Sequence, residues 1–383
     1  MKTIPACLLI FILLCGCSPS IAAVPSTSTP QSAMLPLVVQ PPEASSTPIV
    51  IQEQPTSTPN PTSTPTLEPS PTSVPHITLL FTGVIVPARC VQAEIDARND
   101  ANYVYDNVRE MIQDADLAIG TLNTTLSDYP PHTGCHYTYV LVSDSRSAVA
   151  AAEAGFDVMS VATNHIKNCG IGDCGDRAFL DTLDNLRSNN ILPVGAGNNL
   201  AEAMQPVVVE IQGIRFGIVS LGMVEPMTFA TESTPGIAVL DDDNLRAAIA
   251  EARKQADVVI AMPHWGPEDT ANPNEYQLHF AEVAVQAGAD LVVGNHTHVV
   301  QAIEQINGID VFYGLGNFVF DQDWDLEHQQ GVILLVHFEG TQYVGYELVP
   351  THVDGDGTVH IAVEDEAAEI LQRIEKASQR IRR

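Results

Sequence analysis

From His76 onward the apolar positions fall into short unbroken runs separated by stretches at helical spacing. Runs at residues 77–83, 116–121, 156–162, 191–194, 257–262 and 290–294 read as strands. Each is too short for a helix. Between them the apolar positions move to a spacing of three and four. Val104, Val108, Met111 and Ile112 predict a helix entered through Asn99 or Asp100. Residues 143–154 predict a helix closed by Gly155. Phe179, Leu180, Leu183 and Leu186 predict another, capped by Asp176. Residues 242–256 and 275–287 add two more. Residues 206–211 and 214–221, split by Gln212-Gly213, read as a hairpin. Strands that are apolar throughout and joined by helices predict a parallel sheet covered on both faces. The later runs, 309–315, 331–338 and 342–348, lack intervening helices and predict a second, antiparallel sheet. Ile370, Leu371, Ile374 and Ile381 predict a terminal amphipathic helix over 364–383 with a basic end.

The first 75 residues follow neither period. Lys2 precedes an apolar run over 4–14, too short to span a bilayer and of signal-peptide length. Leu14-Cys15-Gly16-Cys17 then resembles a bacterial lipobox, which makes residues 1–17 a lipoprotein signal and Cys17 the lipidated residue. The other reading is an ordinary signal peptide with incidental cysteines. Residues 18–75 hold 14 of the 26 prolines amid Ser and Thr. That composition predicts a disordered, extended stalk. The expected location is outside the cytoplasm, anchored by lipid to the bacterial cell membrane.

Charge narrows the partners. The chain carries 17 Lys and Arg against 47 Asp and Glu, a net charge of −30. Nucleic acid, which requires a basic face, is excluded as a partner. Four cysteines remain beyond Cys17, and in an exported chain they predict two disulfides. Cys169 and Cys174 lie close enough in sequence to close a small loop, leaving Cys90 with Cys135. A Cys/His zinc site is the rival, and no paired C-x-x-C spacing supports it. Asp354-Gly355-Asp356-Gly357 lacks the remaining features of a calcium loop and reads as a turn.

In a doubly covered sheet, ligands bind beyond the carboxyl ends of the strands. His165, His264, His296 and His298 all follow strand runs there. Two of them form an H-x-H step, a pattern suited to metal or phosphate. Asn164-His165, His264-Trp265-Gly266-Pro267-Glu268, Gly294-Asn295-His296-Thr297-His298 and Leu315-Gly316-Asn317-Phe318-Val319-Phe320-Asp321 occur in that order. Together they resemble the CapA-like bacterial capsule-synthesis family of poly-γ-glutamate biosynthesis, which is similar to calcineurin-like metallophosphoesterases.

The resemblance covers residues 77 to about 340. It implies a metallophosphatase-like four-layer α/β/β/α sandwich with mixed sheets over 76–363. It also implies metal ligation by Asn164, His264 and His296, with His298 serving a second metal. His165 and Arg89 would act on an anionic centre as catalytic groups, and Asn123, Glu268, Asn317 and Asp321 would lie about the pocket. Glu268 reads equally as a remote ligand or a surface carboxylate.

Two carboxylates of the family pattern are replaced here, by Val84 after Gly83 and by Asn123. A third position, three residues after His165, holds Asn168. The remaining ligands are neutral, which favours one divalent transition metal of zinc or manganese type and argues against a second. The implied partners are an anionic polymer or other capsule-assembly proteins. The implied function is capsule or extracellular polymer biosynthesis. An active hydrolase of phosphoester or γ-glutamyl substrates and a non-catalytic polymer-binding scaffold are the alternatives.

Overall fold

The structure is a computed structural model that describes residues 74–170 and 174–381. The lipobox, Cys17 and the stalk through residue 73 lie outside the described residues. Among the described residues, no helix is long and apolar enough to cross a membrane.

Two sheets form the centre. The first has eight strands. Its order runs Val359–Ile361, Gln342–Val353, Gln330–Glu339, His76–Ile85, Leu117–Leu122, Val158–Ser160 and Leu192–Val194, with Asn317–Val319 lying beside the end of His76–Ile85. The second has six, in the order Ile303–Ile306, Ile309–Phe312, Leu291–Val293, Val258–His264, Ile214–Gly222 and Val207–Ile211. Ile77, Leu79, Phe81, Leu117 and Ile119 of the first sheet share one buried cluster with Phe216, Ile218, Ile260, Val293 and Phe312 of the second. Full burial of such side chains stabilises the fold by about 1.5–3 kcal/mol each.

Helices close both outer faces. Cys90–Arg98, Arg146–Ala154 and Arg177–Ser188 cover the first sheet through Ile95, Ala148, Phe179 and Leu183. Asp242–Gln255 and Glu275–Ala287 cover the second through Leu245, Ile249, Phe280 and Ala284. The layers are therefore α/β/β/α, as the resemblance implied.

Gly155 closes its helix as expected, whereas Asp176 stands at its helix's N-cap without a side-chain cap hydrogen bond and pairs with Lys167 instead. Gly155 and Gly288 close their helices at φ 110° and 101°. Asn274 and Gln277 form a reciprocal capping box. The hairpin turns at Gln212-Gly213 between Val207–Ile211 and Ile214–Gly222. Both disulfides have the expected pairing, Cys90 with Cys135 and Cys169 with Cys174.

Two expectations fail. Gln330–Glu339 and Gln342–Val353 do not found a separate antiparallel sheet. Gln330–Glu339 pairs antiparallel with His76–Ile85 and extends the first sheet. The residue pattern of a strand does not reveal which edge it joins. The helix over Val104 to Ile112 is also broken, into a 3₁₀ turn at Asn102–Tyr105 and a short helix at Arg109–Gln113. Asn99 is not its entry. At φ 51° it ends the preceding helix, Cys90–Arg98, which the apolar spacing did not reveal. That helix buries Val91, Gln92 and Ile95.

Candidate functional site

The histidines converge because their strands are neighbours. His264 ends the central strand of the second sheet, and its bridge to Asn295 joins it to the loop after Leu291–Val293. Gly294 permits this approach, because a Cβ there would lie 2.3 Å from the Trp265 indole nitrogen. That indole is held by the Tyr313 carbonyl at 2.9 Å. Asn164 and His165 follow Val158–Ser160 of the first sheet, so the site bridges the two sheets. His296 at φ 108° and His298 at φ 59° occupy left-handed backbone that costs about 1–3 kcal/mol per residue. Such cost concentrates where side-chain aim matters more than backbone comfort.

Three donor atoms meet on the floor. His264 Nε2 lies 3.0 Å from Asn164 Oδ1 and 3.1 Å from His296 Nδ1. All three residues are at least 95% buried. Burial, then the neighbouring imidazoles, hold His264 well below the usual histidine range and lower His296 to about 3. Both rings are therefore neutral and keep a lone pair.

The remaining nitrogen, His264 Nδ1, is buried without a partner. If His264 carries its proton there, the Nε2 lone pair faces the Asn164 oxygen and can accept only from His296 Nδ1. If the proton sits on Nε2, Nδ1 is an orphaned acceptor. A cation among the three donors relieves the first arrangement. Donors on a tetrahedral zinc stand about 3.3 Å apart, so an opening of ~0.3 Å would admit one. Asn164, His264 and His296 thus fit a single transition metal.

The neighbouring amides fix two more rings. Asn168 Oδ1 accepts the Leu141 amide at 2.8 Å, so that atom is the oxygen, and it also faces His165 Nδ1 at 3.0 Å. His165 must donate from Nδ1, which leaves Nε2 as an acceptor. Asn317 donates through Nδ2 to Gln322 Oε1 and to the His328 carbonyl, both at 2.9 Å. Its Oδ1 therefore receives His298 Nδ1–H at 2.8 Å, and His298 Nε2 is likewise a bare acceptor. Burial lowers His298 to about 4 and His165 below its usual range. His165 is thus held neutral, with Nε2 as its free acceptor atom.

The half of the site expected to hold a second metal is built differently. Val84 is fully buried with Val86, Ala88, Leu141 and Phe320 in an apolar cluster. The Phe320 ring lies against His298, 5.4 Å between centroids. Asn123 does not offer its oxygen to the pocket, because that atom accepts the His165 amide at 3.0 Å. Its Nδ2 is what remains free, buried and without a partner.

Arg89 is not free either. Its Nε donates to Asp321 at 3.0 and 3.2 Å, Nη2 donates to the same carboxylate, and Nη1 reaches the Thr138 carbonyl at 3.1 Å. Phe320 lies over the guanidinium at 4.7 Å. Arg89 and Asp321 are a buried pair whose charges match each other. Glu268 is exposed, with its carboxylate 3.9 Å from His296 Nε2. Partial desolvation and then Asp269 raise its carboxyl above the usual range.

Beyond His165 opens a cleft of about 530 Å³, lined by Tyr139, Lys167, Glu225 and Met227 along with Asn164 and His165. Residue pattern gave no sign of Glu225 or Met227, which sit just before and within the 3₁₀ turn Pro226–Thr228. A second group, Asp96, His132 and Asp144, places ligand atoms within 4.8 Å of one another. Arg146 pairs with both of its carboxylates.

The chain matches the family described as "Bacterial capsule synthesis protein PGA_cap" over residues 78–322. It is 28% identical over 275 residues to the PGA biosynthesis protein CapA of Bacillus subtilis, covering 71% of this chain and 70% of that one. It is 29% identical over 286 residues to the capsule biosynthesis protein CapA of Bacillus anthracis, covering 72% and 67%. Among solved structures, a phosphatase from Mycoplasma pneumoniae aligns at a TM-score of 0.46 and 14% identity, over 72% of this chain and 94% of that one. The matched stretch begins in the first strand and runs past Asp321, so it contains every element that supplies the site. The chain belongs to the bacterial capsule synthesis protein PGA_cap family.

Proposed function

We propose that the chain acts in the assembly of a capsule or similar extracellular polymer, at a cleft whose floor holds one divalent transition metal on Asn164, His264 and His296. The observation that carries this reading is the meeting of those three neutral donor atoms, within 3.1 Å of their neighbours, in a member of a capsule-synthesis family. A metal there would polarise a carbonyl or phosphoryl oxygen. His165 Nε2 would accept a proton at the rim, held in aim by Asn168. The apolar packing of Val84 supports one metal rather than two.

A scaffold that binds polymer without turning it over is the second reading. It is favoured by Arg89, whose charge is already matched by Asp321 and is not available to a developing anion. The test is elemental analysis of the purified chain. Zinc or manganese is expected at no more than one per chain, falling to background in His264→Ala and His296→Ala. Two tightly held metals, or none after supplementation, would overturn the single-metal reading.

The anchor belongs to the same proposal. The lipobox at Leu14-Cys15-Gly16-Cys17 and the Pro/Ser/Thr stalk support a domain tethered outside the cytoplasm. Cys17→Ser is expected to move the protein from washed membranes to the soluble fraction. Retention equal to that of the natural chain would remove the lipid from the account.

A further inference from the structure

Acidic residues so outnumber basic ones here that most cations are already matched. Among the described residues, each Lys and Arg side chain lies at ion-pair distance from a carboxylate except Arg246, Lys376 and Arg380. Arg246 belongs to the helix Asp242–Gln255. Lys376 and Arg380 belong to the terminal helix Glu364–Ile381, on the same face as Arg373, because positions three, four and seven apart stack along a helix.

These three cations line a groove of about 420 Å³ with Ala271, Glu327 and Glu369. Lys376 Nζ donates to Gln372 Oε1 at 2.8 Å, and Arg380 Nη1 donates to Asn272 Oδ1 at 3.0 Å. Both acceptors are neutral amides, so neither positive charge is cancelled. Arg373 donates to Gln330 Oε1 at 2.8 Å and pairs with Glu327 at 3.4 Å. That leaves Lys376 and Arg380 against Glu369, a local excess of positive charge on a chain of net −30.

A groove of this kind recognises negative charge. The row from Arg373 to Arg380 extends about 10 Å along the helix axis, too far for one phosphate-sized anion to touch both ends. A flexible chain with carboxylates at intervals can touch both. The far side of the groove is built from the loops of the candidate site. Ala271 lies in the loop that leaves His264 and carries Glu268. Glu327 precedes His328, which meets Asp269 of that loop at 2.7 Å and whose carbonyl accepts from Asn317.

We infer that this groove binds the carboxylates of an anionic polymer, held by Lys376 and Arg380 at a point separate from the metal floor. The inference rests on the reading that the chain acts on an extracellular polymer. An anionic lipid surface offers the same charge, but it would also have to approach the acidic remainder of the chain, which repels it.

The full chain is titrated calorimetrically with poly-γ-glutamate at low and high salt. Binding is expected to weaken as salt rises. It should fall about threefold or more in Lys376→Gln and in Arg380→Gln, and about tenfold or more in the double variant. Arg246→Gln removes an equally unmatched charge from another helix and should bind as the natural chain does.

His264→Ala, which should hold no metal, is titrated alongside. Its binding should keep the same dependence on Lys376 and Arg380. Failure of the metal reading is then seen in elemental analysis alone, and failure of the groove in the titration alone. Polymer binding that is absent, that is unchanged in the double variant, or that falls equally in Arg246→Gln overturns the inference. So do phosphatidylglycerol vesicles that bind through Lys376 and Arg380 more tightly than the polymer does.

Discussion

Asp321→Ala is expected to destabilise the folded domain by about 3–5 kcal/mol, the usual consequence of leaving one charge of a buried pair uncompensated. Arg89 and Asp321 are 6 and 2% exposed in their side chains, and Asp321 also receives the Cys90 amide at 3.0 Å. Its removal therefore strands a guanidinium under Phe320 and frees the first turn of the helix that carries the disulfide. Arg89→Leu combined with Asp321→Leu should recover much of the loss, because no buried charge then remains. Urea denaturation of the oxidised chain reads both effects. A loss below ~1 kcal/mol in Asp321→Ala, the range of a solvated surface pair, would show that water reaches the guanidinium.

Restoring the two missing carboxylates is expected to raise metal content from one to two per chain, but only when both are present. Val84→Asp alone places a carboxylate among Val86, Ala88, Leu141 and Phe320, where nothing hydrogen-bonds to it, and should lower stability. Asn123→Glu alone keeps an oxygen for the His165 amide and adds one negative group, too little to hold a cation. In the double variant the two new carboxylates and His298 Nε2 together offer three donors. Added manganese or zinc should then restore the thermal stability lost to Val84→Asp, by about 2.7 kcal/mol at a hundredfold excess over the dissociation constant. Elemental analysis and melting with and without metal read the result. A natural chain that already carries two metals, or a double variant that stays at one, would mean that Val84 does not decide the stoichiometry.

The sequence was most legible where one period ran uninterrupted. Val258–His264 is buried along its whole length and Ile214–Gly222 at every position but Arg215, because both faces are covered, and the residue pattern places their ends within two residues. The histidines could be assigned to one rim because strand ends are where a loop leaves the core. Pattern said less about partners. Nothing in residues 330–353 announces that they extend the first sheet, since an apolar strand fits either edge. Arg89 read as a ligand-facing cation because sequence does not show that Asp321, 232 positions away, has already claimed it. That Asn123 turns its oxygen to the His165 amide is not legible in sequence, because an amide's two ends are distinguished only by their neighbours. Glu225 and Met227 follow no period at all, and only the folded loop brings them to the cleft.

The Cys90–Cys135 bond makes the cleft sensitive to where the chain is. Closing a loop of 45 residues removes about 4 kcal/mol of unfolded-chain freedom, and the bond persists only where thiols are kept oxidised. In a reducing compartment the segment bearing Tyr137 and Tyr139 loses its tether to the helix beside Arg89. The floor of donors, built from strand ends inside the sandwich, does not depend on that bond. Floor and wall therefore mature under different conditions: the floor with the fold, the wall with oxidation. A chain still inside a reducing compartment would keep the donor atoms of the floor together and lack the tether of the wall, which separates the two in time as well as in place.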